Sequence, residues 1–262
     1  MHGTGSAARV LLHGMRARVF ATAVSVMAVA GCSSSFNADQ YPTPDEKYQA
    51  SIDFYNRGKC HQAVEGFRLL TFELDALDPR MVDVRYYMAE CTLDQGQGLE
   101  AARLFRRVSD EFPRHPRAPQ ALLRAGDSYA SLWKKPQLDP VYGETAQATY
   151  RELLSRYPAS EAADSANQRI AALNEWFARK GYDSGNFYYR LRAYDSAILY
   201  FKDVIAQYPQ STWAPKAVVR LIEAYTKIGY DEEKREMCDY LQLYYPDAEK
   251  ARSVCPEQFA SS

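Results

Sequence analysis

FKDVIAQYPQS (Phe201–Ser211) is one copy of a phrase that recurs along the chain. FRRVSDEFPRH begins at Phe105, YRELLSRYPAS at Tyr150 and, more loosely, CDYLQLYYPDA at Cys238. Each copy has a bulky or apolar residue, an apolar residue three positions on, an aromatic–proline pair and a polar stretch. An alanine precedes the bulky residue by one helical turn: Ala101 before Phe105, Ala146 before Tyr150, Ala197 before Phe201, and Ala63 before Phe67 in an earlier variant. Residues four apart share a helix face. The small side chain lets a partner helix approach and the large one fills the groove beside it. Proline ends the helix, because it lacks an N–H and restricts the residue before it. The aromatic before each proline is expected to pack against the next unit.

Working outward, each phrase is the second half of a helix–turn–helix unit. The Pro79–Pro113 spacing is 34 residues, and the later ones (to Pro158, Pro209 and Pro246) are 45, 51 and 37. The pattern resembles the tetratricopeptide repeat, a 34-residue helical hairpin, with insertions. Five repeats are expected. They pair 45–57 with 60–74, 81–95 with 99–111, 116–133 with 140–156, 180–191 with 194–207, and 212–228 with 231–245. An insertion, KKPQLDPVYG, splits the third, and an extra helical stretch over 160–179 precedes the fourth. The predicted fold is an all-α solenoid over residues 45–246, followed by a tail over 247–262. No run of alternating apolar and polar residues is long enough to predict a strand.

The net charge of −1 over 262 residues argues against a nucleic-acid binder that relies on phosphate contacts. Downstream of residue 31 the only histidines are His61 and His115, far apart in sequence. No G-x-S-x-G, H-E-x-x-H, Walker motif or Gly-rich phosphate loop occurs. No enzyme, cofactor or metal site is therefore expected, and Trp133, Trp176 and Trp213 read as packing residues.

The amino terminus is a separate object. Arg9, Arg16 and Arg18 precede an apolar run from Val19 to Ala30, too short to span a bilayer comfortably. It ends in VAGC (Val29–Cys32) and then Ser33, Ser34 and Ser35. This resembles a bacterial lipobox. The resemblance implies that 1–31 is a signal peptide and that Cys32 is lipidated. Several acyl chains on one residue anchor stably where one would not. Ser33 after the cysteine implies the outer membrane. Residues 32–44 read as a lipidated tether. Without residues 1–31 the chain has 29 Lys+Arg and 33 Asp+Glu, a net charge of −4.

Four cysteines remain: Cys60, Cys91, Cys238 and Cys255. An even count in an oxidising compartment allows disulfides. Cys60 opens the second helix of repeat one, and Cys91 lies in the first helix of repeat two. Cys238 and Cys255 flank the turn after the last repeat. Bonds within these pairs and four small buried thiols both remain open.

A lipobox, a short tether and five irregular repeats together resemble the BamD (ComL/YfiO) family, lipoproteins of the outer-membrane β-barrel assembly machinery. The residues that carry the resemblance are LDPVYGETAQATYRELLSRYPASEAADSANQRIAAL (138–173) and FYYRLRAYDSAILYFKDVIAQYPQSTWAPKAVVRLIEAYTKIG (187–229). It implies a non-enzymatic scaffold on the periplasmic face of the outer membrane. Its partners would be a BamA-like barrel subunit, other lipoproteins of the complex and unfolded outer-membrane proteins. Another envelope adaptor with such repeats, serving cell-wall synthesis or division, is the alternative, and a carrier of small ligands is a third reading. In this repeat, set positions of each first helix face a groove. Counted from the alanines, these are Tyr48, Ile52 and Tyr55, then Asp83, Tyr86 and Glu90, then Gln120, Leu123 and Asp127. That set contains no Lys or Arg and suits an extended client strand, with rings for contact area and acids for orientation. In repeat five, Lys216, Val219, Glu223 and Lys227 are more basic and suit an acidic surface of the barrel subunit.

Overall fold

A computed structural model describes residues 35–257. The segment expected to be a signal peptide (1–31) and Cys32 lie outside the described residues, as do the last five. Every long regular element described is an α-helix. In order they are α1 (Pro44–Asn56), α2 (Cys60–Glu73), α3 (Met81–Asp94), α4 (Gly98–Glu111), α5 (Ala118–Ala130), α6 (Val141–Arg156), α7 (Glu161–Arg190), α8 (Tyr194–Gln207), α9 (Ala214–Ile228), α10 (Asp231–Tyr244) and the short α11 (Ala251–Val254). Each long helix packs on its neighbours in the chain. Odd-numbered helices also touch one another, α1 with α3, α5 with α7 and α7 with α9, and so form one layer of the tetratricopeptide solenoid.

The repeated phrase sits where its chemistry demands. Ala63, Ala101, Ala146 and Ala197 are fully buried, as are Phe67, Phe105, Tyr150 and Phe201 one turn on. Helices α4, α6, α8 and α10 all stop at the aromatic before proline, with φ between −126° and −140° and ψ near 50°. That backbone is outside the helical region, as a following proline requires. Phe112 and Tyr157 pack in clusters that include the following helix, as expected, while two tyrosine hydroxyls reach back to the preceding repeat. Tyr157 Oη donates to Pro113 O (3.2 Å) and Tyr245 Oη to Pro209 O (2.8 Å). Each tyrosine thus satisfies the carbonyl of an earlier proline, which explains the direction.

Residues 160–179 and 180–191, expected as two helices, form the single thirty-residue α7. No proline interrupts it. A glycine inside a helix costs about 1 kcal/mol relative to alanine, and α7 carries Gly181 and Gly185. Gly185 is needed: a Cβ there would stand 2.5 Å from the Phe201 ring. The close contact of α7 with α8 offsets the helix penalty. The insertion before α6 is stapled to α7, with Lys180 Nζ donating to Leu138 O (2.9 Å) and Gln137 Nε2 to Asp183 Oδ2 (2.7 Å).

Residues 36–43, read from sequence as free tether, lie against the first hairpin. Phe36 is buried, its ring near Phe54 and over Gly66, and its N–H donates to Glu65 Oε2 (2.6 Å). Thr43 then caps α1 in a capping box with Glu46. Truncating a buried phenylalanine that packs on one hairpin only costs less than in a central core, about 1–2 kcal/mol. Phe36→Ala is therefore expected to raise amide exchange in residues 36–43 and leave α5 to α10 unchanged, measured by hydrogen–deuterium exchange.

The structure joins Cys60 to Cys91 (Cα–Cα 4.9 Å) and Cys238 to Cys255 (5.7 Å). The first bond links α2 to α3. The second holds α11 against α10, where both sulfurs are buried with Val219, Ile222, Leu241 and Ala251.

Candidate functional site

The predicted groove positions of the first three repeats lie on α1, α3 and α5, but they are not a strip of free acids. Arginines absent from the sequence-derived set neutralise them. Tyr48 Oη donates to Asp83 Oδ2 (3.2 Å), and Asp83 also accepts from Arg117 Nε (2.5 Å). Arg117 donates to Tyr87 Oη (2.8 Å) and lies about 5 Å from the ring centres of Tyr86 and Tyr87. One turn on, Arg124 grips Glu90 with both arms, Nε at 2.8 Å and Nη2 at 2.5 Å, and its third nitrogen reaches Asp127 (3.2 Å). Asp127 also accepts from Tyr150 Oη (2.8 Å) and Arg169 Nε (3.0 Å).

These contacts form a ladder across α1, α3, α5, α6 and α7. Forked arginine–carboxylate pairs are the strong, directional kind. The hydrogen bonds it donates to Glu90 hold the Arg124 guanidinium well above its usual pKa. Burial, then the Asp83 charge and hydrogen bond, pushes the Tyr48 phenol up to about 12. Burial and the Glu90 carboxylate push Tyr86 up further, and burial with Asp127 does the same to Tyr150. These phenols keep their protons and donate to the acids throughout the neutral range.

Burial sorts the predicted residues. Tyr48, Ile52, Tyr55, Asp83, Glu90 and Asp127 are half-buried and Gln120 is exposed. Tyr86 and Leu123 are buried in the core, so they shape the floor and present little surface. Tyr55 stacks obliquely on Tyr87 at 4.6 Å, which gives the groove an aromatic wall that the alanine count missed. Arg117 and Arg124 were missed because that count selects one face of each helix, and arginines reach across from neighbouring positions. Their spacing of seven, two helical turns, is the signal that was present.

At the other end of the layer, Lys216 and Lys227 are exposed on α9. Val219, 5% exposed, packs mostly into the core beside the Cys238–Cys255 bond and shows only a small edge to the cleft between α7, α9 and the tail. Glu223 is half-buried and paired with Arg220 (2.7 Å). Arg220 was missed; it also lies over the Tyr189 ring. Lys216, Arg220 and Lys250 line a cleft with Tyr182, Glu223 and Glu249, and Lys216 sits 4.3 Å from the Trp213 ring centre.

Among the described residues no group of three or more His, Cys, Asp or Glu side chains could hold a metal, and no helix is long and apolar enough to cross a membrane. Helical hairpins stacked in series, with a ladder of rings and ion pairs along one layer, define a tetratricopeptide-repeat scaffold. A family model described as "Outer membrane lipoprotein" (YfiO) matches residues 40–240, and the chain belongs to that family. Relatives named outer membrane protein assembly factor BamD match most of the chain. That of Caulobacter vibrioides is 26% identical over 249 residues, covering 90% of this chain and 78% of the relative. That of Vibrio cholerae is 25% identical over 235 residues, covering 81% and 92%. Among solved structures, the TPR2AB domain of yeast Sti1 has a TM-score of 0.42 and 13% identity, covering 86% of this chain and 85% of that one.

Proposed function

We propose that this chain is a scaffold of the outer-membrane β-barrel assembly machinery that acts by binding, and that Cys32, once lipidated, holds it on the periplasmic face of the outer membrane. The α1–α3–α5 groove receives extended segments of unfolded outer-membrane proteins. The α9 surface, with Lys216, Arg220 and Lys227, docks a BamA-like barrel subunit, and other lipoproteins of the complex bind elsewhere. The observation that carries this reading is the contrast along one layer. The amino-terminal half offers rings and internally neutralised ion pairs, and the carboxy-terminal half offers exposed cations. A neutral aromatic groove suits an extended apolar-and-polar strand, whereas exposed cations select an acidic surface.

Two variants test the division. Tyr55→Asp puts a charge on the aromatic wall and is expected to weaken crosslinking to unfolded client at least about tenfold, with barrel-subunit recovery unchanged. Lys216→Glu with Lys227→Glu is expected to do the reverse in a pull-down from detergent-solubilised membranes. Equal loss of both interactions in each variant, with helicity intact, would refute it. For the anchor, Cys32→Ser is expected to leave unprocessed precursor or release the protein from outer-membrane fractions.

A further inference from the structure

The two most exposed large apolar side chains among the described residues are close neighbours in the chain. Leu77 is 87% exposed and Phe72 83%. Both belong to the first hairpin, Phe72 in the last turn of α2 and Leu77 in the turn that follows. We propose that this end of the hairpin is a membrane-contact surface, on which Phe72 and Leu77 enter the headgroup layer of the bilayer that holds Cys32. The proposal goes beyond the anchor itself and rests on the reading of Cys32 as the lipidated residue.

Position comes first. Phe36 is buried against the hairpin, and its N–H donates to Glu65 Oε2 (2.6 Å). Cys32 is four residues upstream, a length of chain that spans at most about 14 Å. The tether expected from sequence would let the solenoid swing freely, and the docking of Phe36 removes most of its length. On α2, Glu65, Leu69 and Phe72 stand at i, i+4 and i+7, which is one face of the helix. Phe72 therefore lies about 10 Å along α2 from the residue that holds the docked segment, and on the same face.

Chemistry selects the occupant. A terminal repeat is expected to turn a polar face outward, and this one shows a phenylalanine and a leucine to solvent. The acids around them are engaged within the hairpin and its turn. Glu73 is paired with Lys47 (2.7 Å) and Asp78 with Arg80 (2.6 Å), and Asp75 Oδ1 accepts from the Leu77 N–H (2.8 Å). Arg68, exposed one turn before Phe72, has a stem that can lie along apolar surface while its guanidinium reaches a lipid phosphate. Two side chains are too small a contact for another protein. A stable interface takes about 800 Å² from each partner, and one phenylalanine supplies about 150–250 Å². Beside an anchor they suffice, because the lipid already holds them at the surface and their apolar contact adds to its affinity.

The test uses the chain from Cys32 onward, with Cys60, Cys91, Cys238 and Cys255 joined as in the structure. Cys32 is linked through a maleimide to a single acyl chain of myristoyl length. One such chain binds membranes only marginally, so an added contact is read directly as partition into vesicles of phosphatidylcholine and phosphatidylethanolamine. Phe72→Ser with Leu77→Ser is expected to lower the partition coefficient at least about tenfold. Leu243→Ser with Tyr244→Ser removes a pair that is also exposed, but on α10 in the last repeat, and is expected to leave it unchanged. As a second readout, Phe72→Trp fluorescence is expected to be quenched by bromine-labelled acyl chains, and Leu243→Trp fluorescence is not. A smaller fall for the first pair, an equal fall for the α10 pair, or no quenching of Phe72→Trp overturns the proposal. Self-association of the wild type without vesicles, lost in Phe72→Ser with Leu77→Ser, makes the surface a contact between copies and overturns it too. Because the acyl chain is attached chemically, these outcomes are independent of lipidation in the cell. A Cys32→Ser protein that stays in outer-membrane fractions would refute the anchor reading alone.

Discussion

Arg124→Ala will lower the stability of the solenoid by about 2–3 kcal/mol, an estimate that discounts the 3–5 kcal/mol typical of a broken buried pair for the 26% exposure of the arginine side chain. The reason lies in what remains. Glu90 and Asp127 side chains are only 14% and 13% exposed. Asp127 keeps Tyr150 and Arg169, but Glu90 loses the guanidinium that holds both its oxygens. For a domain of this size the loss corresponds to a melting temperature roughly 5–10 °C lower. The comparison that isolates the mechanism is Arg124→Met with Glu90→Gln, which removes both charges and is expected to melt above Arg124→Ala. If the double variant is the less stable, the ladder is held by packing rather than by charge pairing. In the wild type the ladder persists at high pH. The Tyr48 phenol is raised from 10.0 to about 12, so its contribution is complete below about 10 and is lost as pH rises through about 12. Tyrosinate absorbance should show this phenol among the last to ionise.

Removing either disulfide will cost about 3–4 kcal/mol in the chain-entropy model, for separations of 31 and 17 residues. The two losses are expected to differ in kind. Cys60→Ser with Cys91→Ser unties α2 from α3, beside the groove, and should lower the melting temperature and client crosslinking together. Cys238→Ser with Cys255→Ser frees the turn before α11 and α11 itself, so limited proteolysis should cut after Tyr245 while α1 to α6 stay protected. Thiol titration of protein from its native compartment, under denaturation, gives the direct answer. Four reactive thiols among these cysteines would rule both bonds out.

Much of the fold was legible because one short phrase encodes it. Alanine, then a large residue one turn later, then aromatic–proline specifies a helix, its buried face and its end, and α2, α4, α6, α8 and α10 begin and stop within two residues of expectation. The phrase is silent where the chain departs from a 34-residue unit. The fused α7 was hidden because a repeat template demands a break before Lys180, whereas the residues there contain no breaker that packing does not offset. Phe36 was hidden inside a serine- and proline-containing stretch that resembles a spacer. The site was half legible. Repeat arithmetic found the helix faces and the acids, but the arginines that neutralise them come from adjacent positions and from α7. Pairings that cross between repeats have no fixed spacing in sequence. Val219 shows the opposite case: its position suits the cleft it lines, but packing against the bonded tail takes up most of its surface.

The fused helix makes the molecule mechanically continuous. At about 1.5 Å per residue, thirty residues make a rod about 45 Å long. One end carries Arg169, Leu173 and Trp176; the other carries Tyr189, under the Arg220 guanidinium. With α7 packed against α5, α6, α8 and α9, a single unbroken helix joins the amino- and carboxy-terminal halves. A tilt of about 5° at one end of such a rod swings the other by roughly 4 Å, more than the length of a hydrogen bond. A displacement at the amino-terminal end, of the kind the proposed client groove would undergo on filling, is therefore expected to reach the cationic face at the far end as leverage.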